Sequence, residues 1–136
     1  MAEVWFFEKP GCINNSKQKQ LLKQSGHKLI IHNLLEYDWD VVSLRLFFAD
    51  LPVAHWFNSS APAIKGGWID PENLDEAQAM SLMMKEPILI RRPLMRVGKE
   101  HMVGFDIDVI NKWIGLAQIN NGSETNDDLE SCPQQR

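Results

Sequence analysis

Two places in this 136-residue chain combine reactive residue types with local signals that could put them to chemical use. The first is Cys12. It follows the apolar run Val4-Trp5-Phe6-Phe7 and the breaker Lys9-Pro10-Gly11, and it stands just before a stretch that reads as a helix. The unpaired N–H groups of a first helical turn point toward a side chain so placed, and the helix dipole favours negative charge there. A thiol in that position titrates low and reacts as the thiolate. The same N–H groups can cradle an oxyanion, and Lys9 and Lys17 add positive potential. The competing reading makes Cys12 a small buried residue and nothing more. The second place is Arg91-Arg92-Pro93, which follows Ile88-Leu89-Ile90, a run that reads as a short buried strand. Burying an unpaired guanidinium is costly, and strand alternation sends the two arginines to opposite faces. One is then ordinary surface charge. The other can hold an oxyanion through bidentate hydrogen bonds. Arg92–Pro93 is a candidate cis peptide. The competing reading is two solvated charges at a strand end.

Other chemically capable residues form no pattern. His27, His32, His55 and His101 are scattered without metal-ligand spacing. Met80, Met83 and Met84 sit at helical spacing and read as core. Gly66-Gly67 lacks the surroundings of a phosphate loop. Cys132 is read either as a chance surface cysteine or as a resolving thiol that pairs with an oxidised Cys12.

Elements must bring Cys12 and Arg92 together. Val4 to Phe7 suits a buried strand, Asn15 to Ser25 a helix with Leu21 and Leu22 inward, and Leu29 to Ile31 a second strand. The separation of these strands favours a parallel crossover. Asp40 caps a predicted helix marked by Val41, Leu44, Phe48 and Leu51, which Pro52 ends. Val53 to Phe57 reads as another short helix, and Ser59 to Pro71 as loop. Asn73 with Glu76 fits a capping box ahead of Ala77, Met80 and Met84. Leu94 to Val97 and His101 to Val103 flank the turn Gly98-Lys99-Glu100. Asp106 opens a last helix with Ile107, Ile110 and Ile114 on one face and Gly115 at its end. The expectation is a mixed four-stranded sheet with helices on both faces.

Composition sets the frame. The chain is 44% apolar and 24% charged with net charge −4, ordinary for a soluble domain and without the basic footprint of a nucleic-acid or membrane-surface binder. No apolar run approaches a membrane span. Two cysteines are too few for a disulfide scaffold. The N-terminus lacks the pattern of a secretory signal, so the expected location is cytoplasmic. Residues 117–136 are polar and carry net −3, which leaves −1 for the rest. The expected division is a folded domain over 1–116 and a disordered acidic tail over 117–136.

The Pro10-Gly11-Cys12 step before a helix and Glu86-Pro-Ile-Leu-Ile-Arg-Arg-Pro-Leu-Met95 resemble the glutaredoxin-coupled arsenate reductase family. Within it, Lys9-Pro-Gly-Cys-Ile-Asn-Asn-Ser16, Trp56-Phe-Asn58 and Val103-Gly-Phe105 are similar to the 15-kDa nitrogenase-associated branch. The resemblance implies a thioredoxin-like α/β fold of the arsenate-reductase type with a helical insertion. It makes Cys12 the catalytic nucleophile, Arg92 the oxyanion clamp and Pro93 the cis proline, with Asn14, Asn15 and Ser16 shaping the pocket at the helix start. No bound cofactor is expected. Glutathione is the implied co-substrate, glutathione or a glutaredoxin-like protein the reductant, and a nitrogenase-related protein a further partner.

The chain departs from the family pattern where the reductases carry a second and a third arginine, which fall at Asn58 and at Gly104-Phe105. Ile13 replaces the glycine after the cysteine. Two lost charge-assisted contacts at about 1.5–3 kcal/mol each weaken arsenate binding by roughly 10²–10⁴-fold. The function expected is a thiol-dependent oxidoreductase tied by resemblance to nitrogen fixation. The alternative is a non-enzymatic redox sensor, regulator or assembly factor, resembling Spx or a nitrogenase accessory protein. Asn15 removes the Cys-x-x-Cys switch that such a regulator carries.

Overall fold

The computed structural model describes residues 2–116. The expected acidic tail and Cys132 lie outside the described residues. Strand β1 (Glu3–Glu8) leads to helix α1 (Ile13–Gln24) and strand β2 (Lys28–Asn33). A helical stretch follows, with α2 (Val41–Arg45), α3 (Pro62–Lys65) and α4 (Glu76–Lys85) joined by 3₁₀ turns. The chain closes with β3 (Leu94–Val97), β4 (Glu100–Val103) and α5 (Ile107–Ile114).

The sheet order is β2-β1-β3-β4. β1 pairs parallel with β2, with Val4 opposite Leu29 and Phe6 opposite Ile31, and antiparallel with β3, with Phe7 opposite Leu94. β3 and β4 form a hairpin whose turn is Gly98-Lys99. Gly98 sits at φ +59°, which suits a tight two-residue connection that a side chain would strain.

β1 is apolar on both faces because both are covered. Val4 and Phe6 pack with Leu22 of α1, Met95 of β3 and Ile110 of α5 in one core. Phe7 points the other way, into a second core with Leu44, Phe47, Phe48, Trp56, Met83 and Leu94. Alternation along β3 divides Leu94 and Met95 between the same two cores. In the larger core the Phe48 and Trp56 rings stack at 4.7 Å, and the Trp56 indole N–H donates to the Leu51 carbonyl at 2.8 Å.

Several expectations about elements are corrected. Ile88 to Ile90 is not a strand: Pro87–Leu89 form a 3₁₀ turn, and only Ile90 makes a single bridge, to Phe57. Pro87 sets the turn and removes a donor, which overrides the β-branched run. The capping box is Asp75 with Gln78, not Asn73 with Glu76. Asp75 accepts from Gln78 N–H at 2.7 Å and Gln78 returns the bond at 3.0 Å, while Asn73 ends a turn capped by Asp70. The helix opened by Asp40 tightens to 3₁₀ over Leu46–Phe48 and stops before Leu51, at Ala49, whose φ is +46°. Ser59 to Pro71 is not all loop, since Pro62 starts α3. Helix α1 begins two residues earlier than expected, with Cys12 itself as its N-cap. The last helix runs from Asp106 to Gly115 as expected.

Candidate functional site

The turn that delivers Cys12 is closed by its own N–H, which donates to the Lys9 carbonyl at 3.2 Å. Gly11 takes φ +83°, and nothing stands within 4 Å of where its Cβ would be, so backbone conformation alone calls for glycine there. Cys12 is extended at φ −77° and ψ 121°, as an N-cap should be. Its carbonyl takes the first helical bond, from Ser16 N–H at 3.1 Å, and the Ser16 hydroxyl adds a second at 3.3 Å. Its Sγ accepts from Asn15 N–H at 3.4 Å, in the place an aspartate or serine oxygen usually fills.

The sulfur is 1% exposed, yet its surroundings are polar, since Asn14, Asn15 and Gln18 on the same helix are buried with it. Asn15 Oδ1 accepts from Lys9 N–H at 3.1 Å, and its Nδ2 donates to Gln18 Oε1 at 2.8 Å. Cys12 is disulfide-bonded in the structure, and any nucleophilic chemistry at its sulfur belongs to the reduced form.

Arg92 enters the same end of the sheet. Phe7 of β1 lies opposite Leu94 of β3 in antiparallel register. The residues just before Leu94 therefore run beside the end of β1, where the chain turns toward Cys12. The Arg92–Pro93 bond is cis. The Pro93 carbonyl is held by Gly104 N–H at 2.9 Å. On the other flank, Asn58 N–H donates to the Leu89 carbonyl at 2.8 Å and Arg91 N–H to the Trp56 carbonyl at 3.0 Å. The Trp56–Asn58 segment thus clasps the approach to Arg92.

The two arginines part company, though not by the strand alternation expected, since a 3₁₀ turn precedes them. Arg91 is half-buried and its Nη1 donates to the His55 carbonyl at 3.1 Å. Arg92 is 6% exposed, and its buried Nε has no hydrogen-bond partner. No ion pair among the described residues includes it. Burial pushes the Arg92 pKa below its ordinary value, although a guanidinium stays charged at any physiological pH. A buried cation with an unmet donor is expensive unless something anionic comes to it.

The structure gives the other candidates different surroundings. Pro93 and Asn14 are buried close in sequence to Arg92 and Cys12, and Ser16 is exposed. Asn15 is engaged inside the protein through both side-chain polar atoms. Asn58 uses its amide internally: Nδ2 donates to the Ile88 carbonyl at 3.3 Å and Oδ1 accepts from Ser60 N–H at 3.0 Å. Phe105 is buried in the core beneath α5. Gln18 was not singled out from sequence. The available signal was helical: positions 15 and 18 stack on the Cys12 side of α1 at i, i+3 spacing.

A thioredoxin-like sheet whose first helix is capped by a cysteine, with an arginine–cis-proline turn entering the same end of the sheet, defines a class of protein. Comparison with known proteins places the chain within it. A sequence model of the ArsC family matches residues 13–113, and the chain belongs to the ArsC family. It is 49% identical over 135 residues to a 15.7-kDa protein of Rhodospirillum rubrum, uncharacterised and named for its position 3′ of draG. That match covers 99% of this chain and 91% of the relative. Among solved structures it superposes on an ArsC-family-related protein of Bacteroides fragilis with a TM-score of 0.70. The identity there is 22%, over 80% of this chain and 95% of the other. It superposes on arsenate reductase from Vibrio cholerae with a TM-score of 0.64 at 19% identity, covering 76% and 90% of the two chains. Among the described residues no helix is long and apolar enough to cross a membrane.

Proposed function

We propose that this protein is a thiol-dependent oxidoreductase in which reduced Cys12 is the nucleophile and Arg92 binds an anionic group of the substrate. The observation that carries this reading is the buried Arg92 guanidinium with an unpartnered Nε at the end of the sheet where Cys12 caps α1. Membership of the ArsC family and the relation to a protein named arsenate reductase support the same chemistry.

On an oxyanion such as arsenate, the thiolate forms a sulfur–arsenic bond as a protonated oxygen leaves as water. A glutathione thiolate then attacks the Cys12 sulfur. The electron pair of the sulfur–arsenic bond passes to arsenic, which falls from +5 to +3, and a Cys12–glutathione disulfide remains. A second thiol, free or in a glutaredoxin-like protein, takes up that glutathione and restores Cys12. In this reading Asn14 and Ser16 meet the substrate beside Cys12, and Pro93 meets it beside Arg92. Glutathione serves as co-substrate rather than as a resident cofactor.

Among the described residues the site offers its anion one buried guanidinium. Asn58 is spent on the clasp and Phe105 on the core, so a doubly charged oxyanion meets one guanidinium and helix N–H groups. Arsenate turnover is therefore expected to be slow. The same observation favours a second reading, a redox sensor or assembly factor that retains the cysteine and has given up the substrate. Resemblance to the nitrogenase-associated branch directs the search for a protein partner toward nitrogen fixation.

The test is the rate of Cys12 alkylation in the reduced protein as a function of pH, with and without arsenate or phosphate. The oxidoreductase reading expects reaction near neutral pH, protection by the anion, and loss of protection in Arg92→Ala. A thiol that reacts only above about pH 8.5, its ordinary range, and ignores both anions would overturn it.

A further inference from the structure

Asn15 stands where a two-cysteine redox motif would carry its second sulfur, three residues after Cys12. It is fully buried. Three bonds meet at this residue. Its Oδ1 accepts from Lys9 N–H at 3.1 Å, which ties it to the end of β1. Its Nδ2 donates to Gln18 Oε1 at 2.8 Å, which ties it to the next turn of α1. Its backbone N–H donates to Cys12 Sγ at 3.4 Å. The side chain thus fixes, from both sides, a backbone donor aimed at the sulfur.

We infer that Asn15 is a positioning residue for Cys12: an amide clamp between β1 and α1 that holds its own N–H on the sulfur and so favours the thiolate. This rests on the nucleophilic role proposed for Cys12. The physical ground is the difference between the two protonation states. A thiolate gains a charge-assisted hydrogen bond from a fixed N–H, whereas a neutral thiol gains little. A donor free to swing away keeps less of that preference, because ordering it then costs entropy at the moment of ionisation.

The experiment compares reduced wild-type protein with Asn15→Ala and with Leu22→Ala, using the pH profile of Cys12 alkylation by iodoacetamide. Leu22 is buried on the same helix and touches the core rather than the cap, so it controls for loss of stability alone. Asn15→Ala is expected to move the midpoint upward and to slow alkylation at pH 7 by about tenfold, the worth of one hydrogen bond to a charged group. Leu22→Ala is expected to keep the wild-type midpoint. Equal shifts in both variants, or none in Asn15→Ala, would overturn the assignment.

Should Asn15→Ala fail to fold, wild-type protein still decides. The Asn15 amide proton is expected to titrate in its NMR shift with the alkylation midpoint of Cys12, and an amide shift that ignores the midpoint would overturn the clamp. A wild-type Cys12 that does not react near neutral pH would instead count against the nucleophile itself.

Discussion

At the scale of single residues, Arg92 is a buried cation whose guanidinium costs desolvation, and the protein retains it without an ion-pair partner among the described residues. Replacement by an apolar side chain of similar length removes that cost. Arg92→Met is expected to raise the unfolding free energy measured by urea titration by about 1 kcal/mol or more, while anion protection of Cys12 disappears. A variant that is both less stable and still protected would contradict the reading of Arg92 as an unpaired anion clamp. His101 gives a second prediction of this kind. Burial, and next the nearby Arg96, hold its pKa below the ordinary value, against a raising contribution from a hydrogen bond at Lys99. The folded state therefore prefers neutral His101, and the unfolded chain binds more protons at mildly acid pH. This contribution is complete above about pH 6.5 and fades as pH falls through the lower folded value. His101→Gln is expected to flatten the pH dependence of stability in that window, measured by urea titration at several pH values.

Elements fix these residues, and their weak points can be tested separately from the chemistry. Helix α4 starts on a reciprocal capping box between Asp75 and Gln78. Asp75→Ala is expected to cost about 1 kcal/mol and to leave Cys12 alkylation unchanged, since α4 packs on the opposite side of the sheet from α1. The clasp made by Trp56–Asn58 behaves differently. Asn58 is the position to which the family resemblance assigns a second arginine; here its amide bridges Ile88 and Ser60. Asn58→Arg is therefore expected to destabilise the protein by overpacking and by breaking both bonds, with no gain in arsenate turnover measured by coupled glutathione oxidation. A gain would mean that the missing arginine, and not the architecture of the clasp, limits the site.

At the scale of the whole molecule, β1 is the hinge of the design. It separates two cores, carries Cys12 at its end and pairs with the strand that Arg92 enters. Phe6 is fully buried against α1 and α5. Phe6→Ala is expected to cost about 3–5 kcal/mol and to lower the thermal midpoint and the alkylation rate together, because the end of β1 and the first turn of α1 lose their common support. A thermal scan of the variant with and without phosphate checks whether anion binding still restores part of the loss, as mass action requires of a ligand that binds only the folded state.

Sequence alone determined the features whose causes are local. The Pro-Gly step, the cysteine after it, the apolar strand, the capped last helix with Gly115 and the hairpin over Gly98 follow from turn chemistry and periodicity, which act within a few residues. Family motifs pointed to Cys12, Arg92 and the cis proline. Tertiary structure decided what depends on distant partners. Ile88 to Ile90 has the side chains of a strand, but Pro87 and the opposing Trp56–Asn58 segment leave room for a turn and one bridge. Whether Arg92 meets a carboxylate, whether Asn58 faces a substrate or a carbonyl, and which atoms hold Asn15 could not be read from spacing. Those answers depend on hydrogen bonds between residues thirty or more positions apart as well as on near ones, and a side chain's partner at that range is chosen by packing rather than by its neighbours in the chain.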